Sequence, residues 1–429
     1  MGAVCIISSR KILGGYIMNI LIIYPKPDKF KKPRFGFSYE MLTIATVLSK
    51  YHNVSVKDFS CECFDMHNFM GYISGEHFDL ALVECDSYAL KRSQNVLHAA
   101  EIIDVLNDCV PTIAYGNYCY ITKRNFGNAK HTIVDNAINN IFDCINQYEE
   151  HNIIPHIKGY DEIPFIDRDM LLKISYYRQN KKNTLLQTAK GCENTCIFCQ
   201  RKGWQSCYVT HSDNYVLNEI KDLKSKGYQN VWVTDENFTF NLIRAKRLLK
   251  KILQSGLCEN LRFFISSWVN IDEEFLDLAK QCNIKIISFG IESGNKEILR
   301  FYRKNINIDK VPDIIRYANS IGIFTVGNFI IGAPMESDST ITETFDLIKE
   351  CEFDQINIKN LDYMIGSTLY EALDDELKTD DHVFACLENG LNIFPLDEIK
   401  RIKDTFQSEY YNLHRPVIEK KIHLYGTPF

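Results

Sequence analysis

The 429-residue chain has no surplus of positive charge: 49 Lys and Arg stand against 55 Asp and Glu, a formal net charge of −6. Proteins that follow a phosphate backbone are basic where they touch it, so nucleic acid is not an expected partner. Long apolar runs are missing too; none approaches the ~20 residues a membrane helix needs. The opening MGAVCIISSRKILGGYIM sets Arg10 and Lys11 inside what would be the apolar stretch of a secretory signal. It also has Ile6 where a myristoylation signal carries Ser or Thr. There is no repeat of solenoid period and no low-complexity tract. Hydrophobic content of 45% and charged content of 24% exclude a disordered or collagen-like chain.

Sulfur is plentiful instead. The cysteines number 15, an odd count well below the ~8–10% of a small disulfide scaffold. With no leader in view, the expectation is a reducing cytoplasm, most thiols buried as small apolar side chains and a few acting as metal ligands.

The chain alternates between two kinds of segment. Met18 begins the first apolar run, and residues 1–17 read as an extension or a misplaced start. Short runs rich in β-branched residues at 19–25, 54–59, 78–85, 111–116 and 131–136 predict strands. Helical spacing falls between and after them, at 39–51, 93–109 and 137–149. Such alternation over 18–150 predicts a doubly wound, Rossmann-like (flavodoxin-like) parallel sheet. Its ligand-facing loops would be 26–38, 60–64, 86–90 and 117–125. Residues 151–182, polar and carrying Pro155 and Pro164, read as a linker. A second alternation follows, with strands at 184–190, 230–235, 262–267, 285–290, 324–332 and 355–361. Six βα units over 183–368 predict a partial, TIM-type (β/α)6 barrel with its chemistry at the strands' carboxyl ends. Residues 369–429 read as a helical C-terminal cap.

Directly after the first barrel strand stands GCENTCIFCQ, residues 191–200. Cys192, Cys196 and Cys199 are spaced C-x3-C-x2-C, and three thiolates on one loop can converge on one soft metal centre. A cubane iron–sulfur cluster held at three corners keeps its fourth iron open. Taken alone, the thiols also admit a zinc ion with Cys207 or His211 as fourth ligand, or a closed cluster completed by Cys207.

In this setting the motif resembles the radical S-adenosylmethionine (SAM) superfamily. Phe198 precedes the last cysteine. VTDENF (233–238), SFGIESGN (288–295) and FIIGAPMES (329–337) match further family elements at the ends of the second, fourth and fifth strands. The resemblance implies a [4Fe–4S] cluster on Cys192, Cys196 and Cys199 whose open iron chelates the amino and carboxylate groups of SAM. Reductive cleavage of the sulfonium bond would then give methionine and a 5′-deoxyadenosyl radical, which takes a hydrogen atom from substrate in an enclosed, oxygen-sensitive site. It further implies that Phe198 packs near the adenine and that Asp235 or Glu236 lies near the SAM amino group. Glu292 and Ser293 would meet the ribose or methionine moiety, while Ser266 and Gly332 would allow close approach of the cofactor. The structural alternatives are a solvated helix cap for Asp235 and Glu236, a cap for Glu292 and an ordinary turn at Gly332.

A Rossmann-like domain before such a barrel, with GIESGN and the run YYNLHRPVIEK (410–420), is similar to the cobalamin-binding subgroup. That subgroup's chemistry is methylation of an unactivated carbon; without corrinoid, rearrangement, cyclisation or hydrogen abstraction is implied. The chain departs from the pattern in lacking D-x-H-x-x-G and in placing bulky Asn117 and Tyr118 after PTIAYG. Lys26, Lys29, Lys31, Lys32 and Arg34 crowd one loop, where they read as a solvated basic segment or a grip on an acidic group. The implied partners are a small-molecule or peptide substrate and an electron donor such as flavodoxin or ferredoxin.

Overall fold

The structure is a computed structural model that describes residues 17–26, 37–62, 64–86, 94–135, 138–148, 153–203, 207–378 and 381–425. Residues 1–16, Lys29, Lys31, Lys32, Arg34 and Cys63 lie outside the described residues. Two compact units divide the chain, Met1–Lys181 and Lys182–Phe429.

The first unit contains strands β1 (Asn19–Tyr24), β2 (Asn53–Asp58), β3 (Leu80–Glu84), β4 (Thr112–Tyr115) and β5 (His131–Thr132). Helices α1 (Tyr39–Leu48), α2 (Met66–Gly75), α3 (Gln94–Leu106), α4 (Asn117–Thr122) and α5 (Ile138–Asn146) alternate with or follow them. All strand pairs are parallel, in the order β2-β1-β3-β4-β5, the flavodoxin-like arrangement. Ile20–Ile23 and Leu80–Val83 are fully buried, as strands covered on both faces must be. The fifth strand stops at Thr132, shorter than the apolar run suggested.

Residues 153–181 cluster with this first unit. They form 3-10 turns at Tyr160–Glu162 and Arg168–Lys173 and the helix α6 (Ser175–Gln179). Side chains explain the docking: Thr46 Oγ1 accepts from the Asp167 amide at 2.8 Å, and the Tyr177 hydroxyl donates to buried Asp58.

The second unit opens with β6 (Asn183–Leu186), then a small antiparallel pair, β7 (Ala189–Lys190) and β8 (Val209–Thr210). Next come α7 (Asp213–Ser225), β9 (Asn230–Val233), α8 (Leu242–Gln254), β10 (Arg262–Trp268) and α9 (Glu273–Gln281). β11 (Ile284–Glu292), α10 (Lys296–Phe301), α11 (Val311–Ser320), β12 (Phe324–Ile331), α12 (Asp338–Cys351) and β13 (Gln355–Asn360) follow. The chain ends in β14 (Asp362–Met364), α13 (Thr368–Glu371), β15 (His382–Phe384) and the long α14 (Leu396–Tyr425). Six parallel strands form one open sheet in the order β13-β12-β11-β10-β9-β6, and helices pack their apolar stripes on one of its faces around Val231, Ile265, Ile287, Phe329 and Ile356. The edge strand β13 is blunted by α14: the Tyr411 hydroxyl accepts from the Ile356 amide at 3.0 Å and donates to the Ile356 carbonyl at 2.8 Å. Among the described residues no helix is long and apolar enough to cross a membrane.

Candidate active site

The single run expected at 184–190 is broken in two, and one carboxylate accounts for the break. Asp235, just past β9, accepts from the amides of Thr188 at 2.7 Å and Ala189 at 3.0 Å, and from the Thr188 hydroxyl. That capture bends the chain off the parallel sheet and into β7. Arg244 of α8 closes the arrangement, donating to the Thr188 carbonyl at 2.8 Å and its hydroxyl at 3.2 Å. Asp235 is 3% exposed, and burial raises its carboxyl to about 6 against the lowering pull of these donors and Arg244.

Beyond β7 the cysteine loop begins at Gly191, whose φ of +88° suits a residue without Cβ. Its amide donates to Glu236 Oε2 at 2.8 Å, and the other oxygen of Glu236 meets the Arg201 guanidinium. Both carboxylates expected near the cofactor's amino group are thus engaged with the loop: Asp235 at its entrance, Glu236 bridging its two ends.

Ile197 and Phe198 anchor the middle of the loop. They join a hydrophobic cluster with Tyr302, Ala333, Leu361, Tyr363 and Leu369. The Ile197 amide donates to the Tyr302 carbonyl at 3.2 Å, and its carbonyl accepts from the Leu369 amide at 3.0 Å. Phe198 meets the Tyr302 ring edge-on at 5.3 Å. With the apolar residues drawn inward, Cys192, Cys196 and Cys199 remain partly exposed. Burial pushes the Cys196 thiol up to about 12, opposed by the Lys304 ammonium; Cys199 is also raised by burial, opposed first by Arg201. Cys199 and Cys192 both act electrostatically on the Cys196 thiol, and Cys192 on the Cys199 thiol, so the three lie in one locale. Asn194 Nδ2 lies 3.3 Å from the Cys192 sulfur, as a donor to a thiolate would.

Among the described residues no three His, Cys, Asp or Glu side chains are grouped to hold a single metal ion. Cys207 is exposed, and His211 stacks on Tyr215 at 3.8 Å, so neither completes a zinc site in this conformation. The corners of a cubane stand farther apart than the ligands of one ion. Three thiols on one loop that are not grouped for a single ion, with the Lys304 and Arg201 cations acting on them, suit a polynuclear, negatively charged cluster better than zinc.

At the end of β11, Glu292 adopts a φ of +74° and turns its carboxylate onto Lys304 at 3.0 Å. The ammonium sits 4.0 Å over the Trp268 ring. Ser293 is buried and bonded to Thr344 Oγ1 at 3.1 Å and to the Asn295 amide at 3.1 Å. Ser266, on β10, is partly exposed, and its carbonyl accepts from the Phe238 amide at 2.9 Å. Gly332 has a φ of +106°, and Glu336 accepts from its amide at 2.9 Å and from that of Ala333 at 3.1 Å, closing the turn after β12.

The Radical SAM superfamily model matches residues 186–348. The chain carries a radical SAM domain. An uncharacterized methyltransferase of Pyrococcus horikoshii is 27% identical over 291 residues, 61% of this chain and 62% of its own length. The cytidylyl-2-hydroxyethylphosphonate methyltransferase of Streptomyces wedmorensis is 28% identical over 43% of this chain and 36% of itself. Matches to these two relatives thus span less than two thirds of their lengths. Among solved structures, the radical SAM methyltransferase TsrM from Kitasatospora setae, with cobalamin and a [4Fe–4S] cluster bound, has a TM-score of 0.68 at 17% identity, over 82% of this chain and 77% of that one. The cobalamin-dependent SAM radical enzyme OxsB has a TM-score of 0.66 at 15% identity, over 83% of this chain and 60% of that one. These likenesses are likenesses of fold.

Several residues of the second unit were invisible to sequence reasoning. Lys304, Tyr302 and Leu369 reach the loop only through the fold, and Arg201, though next to it in sequence, carries no mark of its tie to Glu236. Tyr302 is fully buried, and among the described residues its hydroxyl finds no partner.

Proposed function

We propose that the chain is a radical SAM enzyme that holds a [4Fe–4S] cluster on Cys192, Cys196 and Cys199 and binds SAM beside it. It takes a hydrogen atom from a small-molecule or peptide substrate. The carrying observation is the cysteine loop: three thiols in eight residues, kept accessible on a backbone braced by Glu236, Tyr302 and Leu369. When bound, the cluster supplies one electron to the sulfonium C5′–S bond of SAM, which yields methionine and the 5′-deoxyadenosyl radical.

The chain's own residues do the placing. Asp235 and Glu236 fix the loop rather than the cofactor. Lys304 and Arg201 offset the negative charge of the cluster, and Lys304, paired with Glu292, offers its ammonium toward the SAM carboxylate. Phe198 and Tyr302 form an apolar wall for the adenine, and the lone Tyr302 hydroxyl has a proton to donate. Ser266 and Gly332 leave room at the strand ends, while Ser293 shapes the turn after β11. An electron donor of the flavodoxin or ferredoxin class completes the reaction.

The branch we favour is cobalamin-dependent C-methylation, which the fold likeness to two cobalamin-binding enzymes supports. If a corrinoid binds the first unit, His98 as it stands would not be available to hold the cobalt. His98 accepts from the Lys26 amide through Nδ1 at 2.7 Å, so its proton sits on Nε2 and no lone pair remains. Burial and Lys26 lower that imidazole to about 4, which keeps it neutral.

Anaerobic reconstitution with iron and sulfide, then addition of dithionite and SAM, tests the reading. The expected product is 5′-deoxyadenosine, lost in Cys196→Ala. Its absence from the reconstituted protein, or its persistence in the variant, refutes the assignment. An ultraviolet–visible spectrum with and without hydroxocobalamin tests the corrinoid.

A further inference from the structure

The six-stranded sheet turns a second face away from its helices, and near the strands' amino ends that face is apolar. Phe264, Ile286, Phe324 and Val326 pack there, with Trp232 against them. Toward the carboxyl ends it becomes polar. Asn328 of β12 lies in register with Asn357 of β13 and Gly290 of β11. Asn328 Nδ2 donates to the Phe289 carbonyl at 2.9 Å and to Ser288 Oγ at 2.8 Å. Asn357 Nδ2 donates to Asn328 Oδ1 at 3.0 Å, and Gln355 Nε2 donates to Asn357 Oδ1 at 3.3 Å.

A backbone carbonyl only accepts, so the Phe289 contact fixes which end of the Asn328 amide is nitrogen, and the other amides follow in turn. Ser288 Oγ already accepts, which leaves its proton to give. The Gln355 carbonyl at the other end has lone pairs to offer. The row shows a donor over β11 and an acceptor over β13, two strand spacings or roughly 10 Å apart.

The row adjoins the reactive end of the domain. A Cβ on Gly290 would fall 2.8 Å from Glu292 Oε1 and 3.0 Å from Lys304 Nζ, so the ion pair acting on Cys196 lies directly over Asn328's register partner. Each carboxylate at these strand ends, Asp235, Glu236 and Glu292, already has a bonded partner. Lys359, two residues beyond Asn357 on the same strand, is exposed. Among the described residues a cation would meet only these already bonded carboxylates, whereas a neutral amide can pair with the row and an anion with Lys359.

We propose that Ser288, Asn328, Asn357 and Gln355 form the substrate-reading surface, and that the substrate presents to it an uncharged amide-like or heteroaromatic group. Any charge the substrate carries is negative and meets Lys359. This rests on the radical SAM reading above. A row of oriented amides discriminates strongly, because an analogue that cannot hydrogen-bond leaves those groups unpaired.

The test is ligand-observed saturation-transfer NMR on anaerobic, cluster-reconstituted protein with three matched probes: nicotinamide, nicotinate and 3-(aminomethyl)pyridine. Nicotinamide and nicotinate are expected to receive saturation and the cationic amine none. Asn357→Asp keeps the side chain's shape but sets two oxygens face to face; it should weaken nicotinamide at least tenfold, as should Asn357→Leu. Lys359→Ala should weaken nicotinate alone. Binding of the amine as well as nicotinamide, binding of no probe, or wild-type affinity in Asn357→Asp overturns the proposal. The same samples are assayed for 5′-deoxyadenosine. Its formation alongside failed probe binding sinks the substrate class alone, and its absence sinks the reading underneath.

Discussion

The amide of Leu369 donates to the carbonyl of Ile197 at 3.0 Å, joining the middle of the cysteine loop to a segment 172 residues later in the chain. A second tie runs alongside: Gln200 Nε2 donates to the Ile365 carbonyl at 3.1 Å. The residues matched by the radical SAM model end at 348, so the C-terminal region contributes to the cysteine loop from outside the matched segment.

Gln200→Met removes one of those ties while keeping the side chain's length. The Ile365 carbonyl is partly buried, and leaving it without its donor costs about 1 kcal/mol. The expected outcome is a folded protein, by circular dichroism, that takes up less iron per chain on reconstitution than wild type. Equal iron content would show that the tie is dispensable.

Asp235 gives a pH signature. Its folded carboxyl is raised to about 6 from the ordinary 3.8, chiefly by burial. A raised carboxyl favours folding while protonated, so its contribution is full below about pH 4 and lost as pH rises through about 6. Compared with Asp235→Asn, wild type should lose on the order of 3 kcal/mol of unfolding free energy across that window. Urea midpoints of both proteins at several pH values, taken without metal, measure the slope.

The Glu292–Lys304 pair is buried, with side-chain exposures of 10% and 3%. Breaking such a pair from one side leaves an uncompensated charge and costs about 3–5 kcal/mol. Lys304→Met and Glu292→Gln should each lower the melting temperature sharply, and the double variant should recover much of the loss. Additive losses in this double-mutant cycle would mean the two side chains are not coupled.

The tautomer at His98 yields a spectroscopic expectation. Cob(II)alamin bound to the protein should show no superhyperfine splitting from a protein nitrogen in its electron paramagnetic resonance spectrum. A three-line nitrogen pattern that disappears in His98→Ala would place the imidazole on cobalt and contradict the assigned proton position.

Much of this molecule is readable from local pattern. Apolar runs of strand length alternating with helical spacing determine both parallel sheets, because a strand covered on two faces must be apolar throughout and its crossover helix must show one apolar stripe. The three cysteines stand within eight residues, a spacing that marks a soft metal centre, and the neighbouring family elements narrow it to a cluster of the radical SAM kind. What the spacing does not contain is the loop's support. The family resemblance set Asp235 or Glu236 near the cofactor's amino group; what it did not disclose is that their oxygens accept from backbone amides of Thr188, Ala189 and Gly191. Lys304, Leu369 and the amide row from Gln355 to Ser288 meet the site through strand register and long-range packing. Such contacts join residues tens to hundreds of positions apart and leave no periodic trace. Sequence by itself determined the cysteine loop and the alternation of strand and helix; only the tertiary structure decided which groups brace that loop, because hydrogen-bond partners are chosen by distance in space and not by position along the chain.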